Sequence, residues 1–182
     1  AQGRTVELRP FLGIMGMPPD LPGRHPTSPP RACGGNIDCK ELVAGSTLFL
    51  PIPVDGALFS AGDGHALQGD GEVAGPALEA PFEAAELEFH LRPDIVLARP
   101  RARTPQGWVT FGFHEDLDEA TADALSDMLD LLDEQLGCGR TQALALASLV
   151  VDLHVTQIVN GVRGVHAMVA HDALARLVVP RG

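Results

Sequence analysis

No stretch of the 182-residue chain is long and apolar enough to cross a bilayer, although 45% of its residues are hydrophobic, so a soluble globular protein without a membrane partner is expected. Cationic side chains are scarce. Thirteen Lys and Arg stand against 24 Asp and Glu, for a formal net charge of −11, and Lys40 is the only lysine. Such a chain lacks the basic surface that nucleic acids or anionic membranes require. Cysteine is scarce too. Cys33, Cys39 and Cys138 form an odd set with no CxxC pair, which excludes a disulfide framework and a zinc knuckle and fits a reducing, cytoplasmic compartment. No serine lies in a glycine-rich tract or has a spaced lysine partner, and a thiol nucleophile at Cys33 or Cys39 would have Lys40 alone to draw on. Buried spectators are the expectation for both cysteines. No signal peptide is expected, and the sequence shows no internal repeat or low-complexity tract.

What is present is concentrated in Gly62-Asp63-Gly64-His65-Ala66-Leu67-Gln68-Gly69-Asp70-Gly71-Glu72. Five groups able to bind a metal or move a proton share this stretch with four glycines. In extended chain, residues two apart project to one face, so Asp63 pairs with His65 and Asp70 with Glu72. The intervening glycines leave the opposite face open to another backbone or a ligand. If Ala66 to Gly69 folds as a tight turn, both arms bring their acids and imidazole to one point. Carboxylates with an imidazole suit Zn, Mn or Fe, whereas oxygen ligands alone suit Ca or Mg. The competing reading is a solvated glycine-rich surface turn.

Around this motif the chain reads as α+β and mostly β, with a sandwich- or barrel-like sheet carrying the glycine-rich segment and a helical pair behind it. At this length one well-buried domain is expected. Residues 1–115 form a mainly β region with the site motifs, and 116–182 an α+β region, together one continuous globular unit. Thr5 to Leu8 and Phe11 to Met17 read as extended, and the proline-rich Pro18 to Pro30 as a loop. Cys33 to Asp38 is a second glycine turn, ending in Asn36 and Asp38. Their bland reading is an Asx turn. Leu48 to Val54, with Pro51 and Pro53, suits a sheet edge. Ala85, Leu87, Phe89 and Leu91 alternate with Glu86, Glu88 and His90, which predicts a half-solvated strand with His90 at the surface. Ile95 to Ala98 and Trp108 to Phe113 are further strand candidates, with a turn at Thr104 to Gly107. Asp116 and Glu119 resemble a capping box for a helix over about 117–136, with Met128 in its core stripe and Gly137 as its stop. Thr141 caps a helix over about 142–150. Asn160-Gly161 turns a hairpin over about 153–169, and Ala170-His171-Asp172 starts a last short helix.

The residues Pro30 to Asp38, Gly45 to Pro51, Gly56 to Ser60, the GDGHALQGDGE motif and Asp152 to Asn160 together resemble the acetamidase/formamidase family. The resemblance implies a metal-dependent hydrolase that splits a small aliphatic amide into carboxylate and ammonia, on a mostly β fold with a small α+β part. It carries Asn36, Asp38, Asp63, His65 and Glu72 over as site residues. On this reading Asp38, Asp63, His65 and Glu72 bind a divalent cation, Zn or Ca. Asp63 and His65 also act in catalysis, with Glu72 as general base and then acid and Asn36 on the oxyanion or the substrate NH₂. Family members are oligomeric and carry a further N-terminal region not found in this sequence, so a homo-oligomer is expected, with either a second chain supplying that region or the sequence being a fragment of a longer one. Two readings from other classes predict different behaviour: a cupin-like metal-binding β domain that hydrolyses nothing, and a β domain stabilised by structural calcium.

Overall fold

The computed structural model describes residues 3–178. In chain order its elements are β1 (Phe11–Gly16), β2 (Gly34–Asn36), β3 (Thr47–Phe49), β4 (Ser60–Leu67), β5 (Leu78–Glu79), β6 (Arg101–Arg103), β7 (Gly107–His114), α1 (Leu117–Leu136), α2 (Arg140–Val150), β8 (Val151–Asn160), β9 (Val162–Ala170) and α3 (His171–Leu177). The strands form two antiparallel sheets, ordered β2-β1-β4-β5 and β3-β6-β7-β9-β8. The fold is α+β and mostly sheet, and neither sheet closes into a barrel.

Strand alternation stacks these elements in layers. On β9, Val165, Ala167 and Val169 join a core with Ala120, Ala124, Met128, Leu131 and Leu132 of α1 and Ala143 and Ala147 of α2. Met168 instead faces a second core made of Met15, Ile37, Cys39, Leu42, Ala102, Val109 and Phe111. The five-stranded sheet is therefore the middle layer, with the helices on one face and the four-stranded sheet on the other. Period-two projection explains why β7 and β9 can be apolar on both faces.

The helix ends follow local chemistry. Asp116 caps α1, its carboxylate accepting from the N–H groups of Asp118 and Glu119, and Gly137 ends the helix in the left-handed region with φ 63°. Helix α2 starts earlier than its sequence suggests. Gly139 is its N-cap without a side-chain bond, and Thr141 lies inside the first turn. The hairpin turns at Asn160 and Gly161 as the dipeptide predicts, with β8 running directly out of α2.

Three extended readings fail for want of a partner strand, and a fourth holds only at its start. Thr5 to Leu8 and Ile95 to Ala98 are irregular, with Val6, Leu8 and Val96 exposed. Ala85 to Leu91 joins no ladder, and both of its alternating faces are exposed. Its alternation marks which side chains can share a face; it cannot supply a neighbouring strand to bond with. Phe89 is held by an edge-on contact with Phe59, ring centroids 5.0 Å apart. Of Leu48 to Val54 only the start pairs, because Pro51 and Pro53 cannot donate to a ladder, and β3 takes the expected edge position.

Candidate active site

The GDGH arm lies on β4, whose register sets His65 opposite Phe11 of β1 and Glu79 of β5. The expected second arm does not fold back on it. Gly71 instead docks in parallel on β8, its N–H donating to the Thr156 carbonyl at 3.1 Å and its own carbonyl accepting from the Ile158 N–H at 3.1 Å. Asp70 and Glu72 flank this anchor and serve different clusters, so the reading in which all four acid and imidazole groups converge is corrected. Short-range spacing cannot reveal a docking partner more than 80 residues away.

Asp38, Asp63 and His65 each offer a donor atom, and these atoms lie within 4.8 Å of one another. His65 Nε2 is 3.2 Å from Asp63 Oδ2 and 3.9 Å from Asp38 Oδ1. Asp38 and His65 are each 1% exposed, while Asp63 opens toward solvent. Gln68 fixes the imidazole. Its Nε2 donates to the Asp38 carbonyl at 2.6 Å, which turns Oε1 toward His65 Nδ1 at 2.9 Å. With Gln68 Oε1 as the acceptor, His65 Nδ1 is the donor of that bond, and Nε2 is the nitrogen turned toward the carboxylates. Gln68 orients the cluster as a partner of His65 and Asp38, a role its position in the motif does not disclose. Asp38 is held from the other side, Asn160 Nδ2 donating to its Oδ2 at 2.6 Å. That bond spans 122 residues and replaces the local Asx turn as the account of its geometry.

Two further features mark the cluster. Among the described residues five non-glycine side chains sit on backbone with positive φ, and Asp38 (52°), Asp63 (59°) and Glu72 (45°) are three of them. Such strain persists where surrounding structure imposes it and concentrates at functional sites. Beneath them, Gly13 of β1 provides space. A Cβ there would lie 2.7 Å from Asp38 Oδ1, 2.9 Å from Asp63 Oδ2 and 3.0 Å from His65 Cε1.

Buried polar atoms without a hydrogen-bond partner include Asn36 Oδ1, Asp38 Oδ1, His65 Nε2 and Glu72 Oε2. Orphaned buried acceptors are costly unless a cation or proton satisfies them. Burial, reinforced by the neighbouring Asp38 and Asp63 charges, pushes the Glu72 carboxyl up to about 8. Burial likewise raises Asp38 to about 6, partly offset by His65 and by the Asn160 hydrogen bond. Lone pairs on two carboxylates and an imidazole, with an additional carboxylate beside them, form a donor set that fits a divalent cation. Beside Asp63 a cavity of about 290 Å³ is lined by Asp63, Gly64, Glu79, Ala80 and Pro81.

A second group was not read from the sequence. Asp70, His154 and His166 also offer donor atoms within 4.8 Å of one another. The hairpin signal alone could not have found it: the Asn160–Val162 register would set His154 opposite Met168, and two register shifts, between Asn160 and Gln157 and between Gln157 and Val155, bring His154 opposite His166 instead. Burial and the neighbouring His154 lower His166 to about 3, so its ring is neutral. Cys33 and Cys39 are buried, and burial moves the Cys39 thiol far above its usual range.

The class these features define is a two-sheet α+β protein with an acid–imidazole cluster on its smaller sheet. Residues 23–105 match the model of the Acetamidase/Formamidase family. The acetamidase of Mycolicibacterium smegmatis is 53% identical over 47 residues, which are 26% of this chain and 12% of that protein. The acetamidase structure from Bacillus halodurans superposes with TM-score 0.79 at 29% identity, over 98% of this chain and 60% of that one. The acetamidase structure from Yersinia enterocolitica gives TM-score 0.84 at 26% identity, over 96% of this chain and 52% of that one. The chain thus resembles the acetamidase/formamidase family in sequence over residues 23–105 and in fold over nearly its whole described length, and it spans about half to three-fifths of the solved relatives.

Proposed function

We propose that the chain carries the catalytic centre of an amidase that hydrolyses a small aliphatic amide, of the formamide or acetamide type, to carboxylate and ammonia with a divalent metal. The observation that carries this reading is the meeting of Asp38, Asp63 and His65 within 4.8 Å over the space left by Gly13, with Glu72 beside them. Those four residues would hold the ion. The carboxylates suit Ca²⁺ and the added imidazole suits Zn²⁺. When bound, a divalent ion supplies Lewis-acid polarisation of the amide carbonyl and acidifies water near it.

The chain's own residues supply the rest. Glu72 takes a proton from the attacking water and passes it to the departing nitrogen, which must leave as an amine. Asn36 has a buried side-chain oxygen with no partner, suited to accept from the substrate NH₂, and its amide N–H suits a developing oxyanion. Asp63, the most open of the three acids, borders the cavity by which a small amide would enter. The row of exposed Leu87, Phe89, Leu91 and Val96 supports assembly with a further copy or a second polypeptide, and three free cysteines support a cytoplasmic setting.

The test is ammonia release from formamide and acetamide by the metal-loaded chain, before and after chelation. Chelation should abolish release, and Glu72→Gln should lower kcat by about 10²-fold or more with circular dichroism unchanged. Metal bound at the cluster with no ammonia from any small amide would overturn the hydrolase and leave a metal-binding β domain.

A further inference from the structure

The Asp70 group lies on the other side of the Gly71 anchor from the acid cluster and is independent of the proposed reaction. His154 and His166 are directly opposed across β8 and β9, and their rings stack with centroids 4.8 Å apart at 6°. Directly opposed positions on antiparallel strands keep their Cβ atoms close, so two imidazoles there are presented as a fixed pair. Gly71's two backbone bonds to β8 bring Asp70 to the same place, with His154 Nδ1 at 3.0 Å from Asp70 Oδ2. His166 is 0% exposed. Its Nδ1 meets the Thr156 hydroxyl at 2.8 Å, while its Nε2 has no partner. A fully buried imidazole nitrogen without a partner is the feature that simple packing leaves unexplained.

We infer that Asp70, His154 and His166 form a second metal site, taking a divalent first-row transition ion of the Zn²⁺ class. The donor chemistry sets the preference. Two imidazole nitrogens and one carboxylate favour Zn²⁺, Co²⁺ or Fe²⁺ over Ca²⁺ and Mg²⁺, which seek oxygen ligands. The Thr156 hydroxyl on the remote nitrogen of His166 acts as the outer partner that orients a ligating imidazole. Lys40 is the competitor. Its Nζ lies 2.8 Å from the same Asp70 Oδ2, and with 24% of its side chain exposed it can swing into solvent when a divalent ion takes the carboxylate. Asp70 is exposed and His154 half-buried, so the site opens to the surface.

The test counts bound ions rather than turnover, so it is separate from the fate of the amidase reading. The chelator-treated chain is dialysed to equilibrium against Zn²⁺, and against Ca²⁺ in parallel, and compared with His154→Ala, Asp70→Asn and Lys40→Met. The expected result is that His154→Ala and Asp70→Asn each lose one equivalent of Zn²⁺ with Ca²⁺ binding unchanged, while Lys40→Met binds that equivalent several-fold more tightly. Cobalt(II) supplies a visible absorption band that the first two variants lose. Equal Zn²⁺ counts and affinities in the unaltered chain and in His154→Ala and Asp70→Asn would overturn the site. Both substitutions are at residues outside the packed core, and circular dichroism is the check that each variant folds.

Discussion

Gly13 is the residue on which the acid cluster most depends without contributing a side chain. Ala at this position puts a methyl group against Asp38 Oδ1, Asp63 Oδ2 and His65 Cε1 at 2.7 to 3.0 Å, filling the space toward which all three donors point. Gly13→Ala should therefore cut metal affinity by about 10-fold or more, in the range of outer-partner losses, while β1 still pairs with β2 and β4. Isothermal titration with Zn²⁺ and a circular dichroism spectrum separate the two effects; unchanged affinity would show that the ion does not sit there. Gln68 acts through His65. Gln68→Leu frees the ring to place its proton on Nε2, and a comparable loss of affinity is expected, with partial recovery in Gln68→Glu. The cluster also sets a pH dependence. Glu72 rises from 4.5 to about 8 and Asp38 from 3.8 to about 6, so both bind more protons folded than unfolded over those windows. The chelated chain should be most stable below about pH 4 to 5 as far as these two groups are concerned, and lose that contribution as pH climbs through 6 and then 8. Denaturant titrations from pH 5 to 9 check the slope, and Glu72→Gln should flatten its upper part.

At the scale of elements, what could be read from the sequence is what neighbouring residues decide. Asp116 with Asp118 and Glu119, and Gly137 at φ 63°, fixed the ends of α1, and Asn160-Gly161 fixed the β8–β9 turn. The pair Asp63 and His65, two apart across a glycine, faces one side as its spacing implies; Glu72 was picked out by the same motif and Asn36 and Asp38 by the second glycine turn, and the family resemblance gave all of them site roles. The rest was decided at long range. Asp70 could not be separated from Glu72 without knowing that Gly71 docks on β8, and Ala85 to Leu91 has a strand's alternation but no neighbour. Gly13 and Asn160 carry no local mark of their contacts with Asp38. The close approach of β7 to α1 is similarly silent in sequence. A Cβ at Gly112 would strike the Ala120 carbonyl and lie 2.8 Å from the Ala124 nitrogen. Gly112→Ala should destabilise the chain by ~1–3 kcal/mol, as overpacking does. Gly69→Ala, at a site with nothing within 4 Å, is the control. Urea unfolding of the two variants, with equal losses for both, would contradict this packing.

For the whole molecule, the contacts of the acid cluster reach beyond its own sheet. Asp38 receives Asn160 from the end of β8, and Glu72 follows the Gly71 anchor on that strand, so the acid cluster on the four-stranded sheet is tied to the five-stranded sheet and, through β9, to the helices. An ion that binds only the folded arrangement should then stabilise every layer together. At a free concentration 100 times its dissociation constant the gain is ~2.7 kcal/mol, which for a chain of this size is roughly 5–10 °C in Tm. Scanning calorimetry of the chelated and reloaded chain should show one transition that moves as a unit, and Asp63→Asn should remove most of the shift at the acid cluster while sparing binding by Asp70, His154 and His166. Two transitions, of which metal moves one, would mean that the sheets unfold independently and that the Asn160 and Gly71 links transmit little of the binding energy.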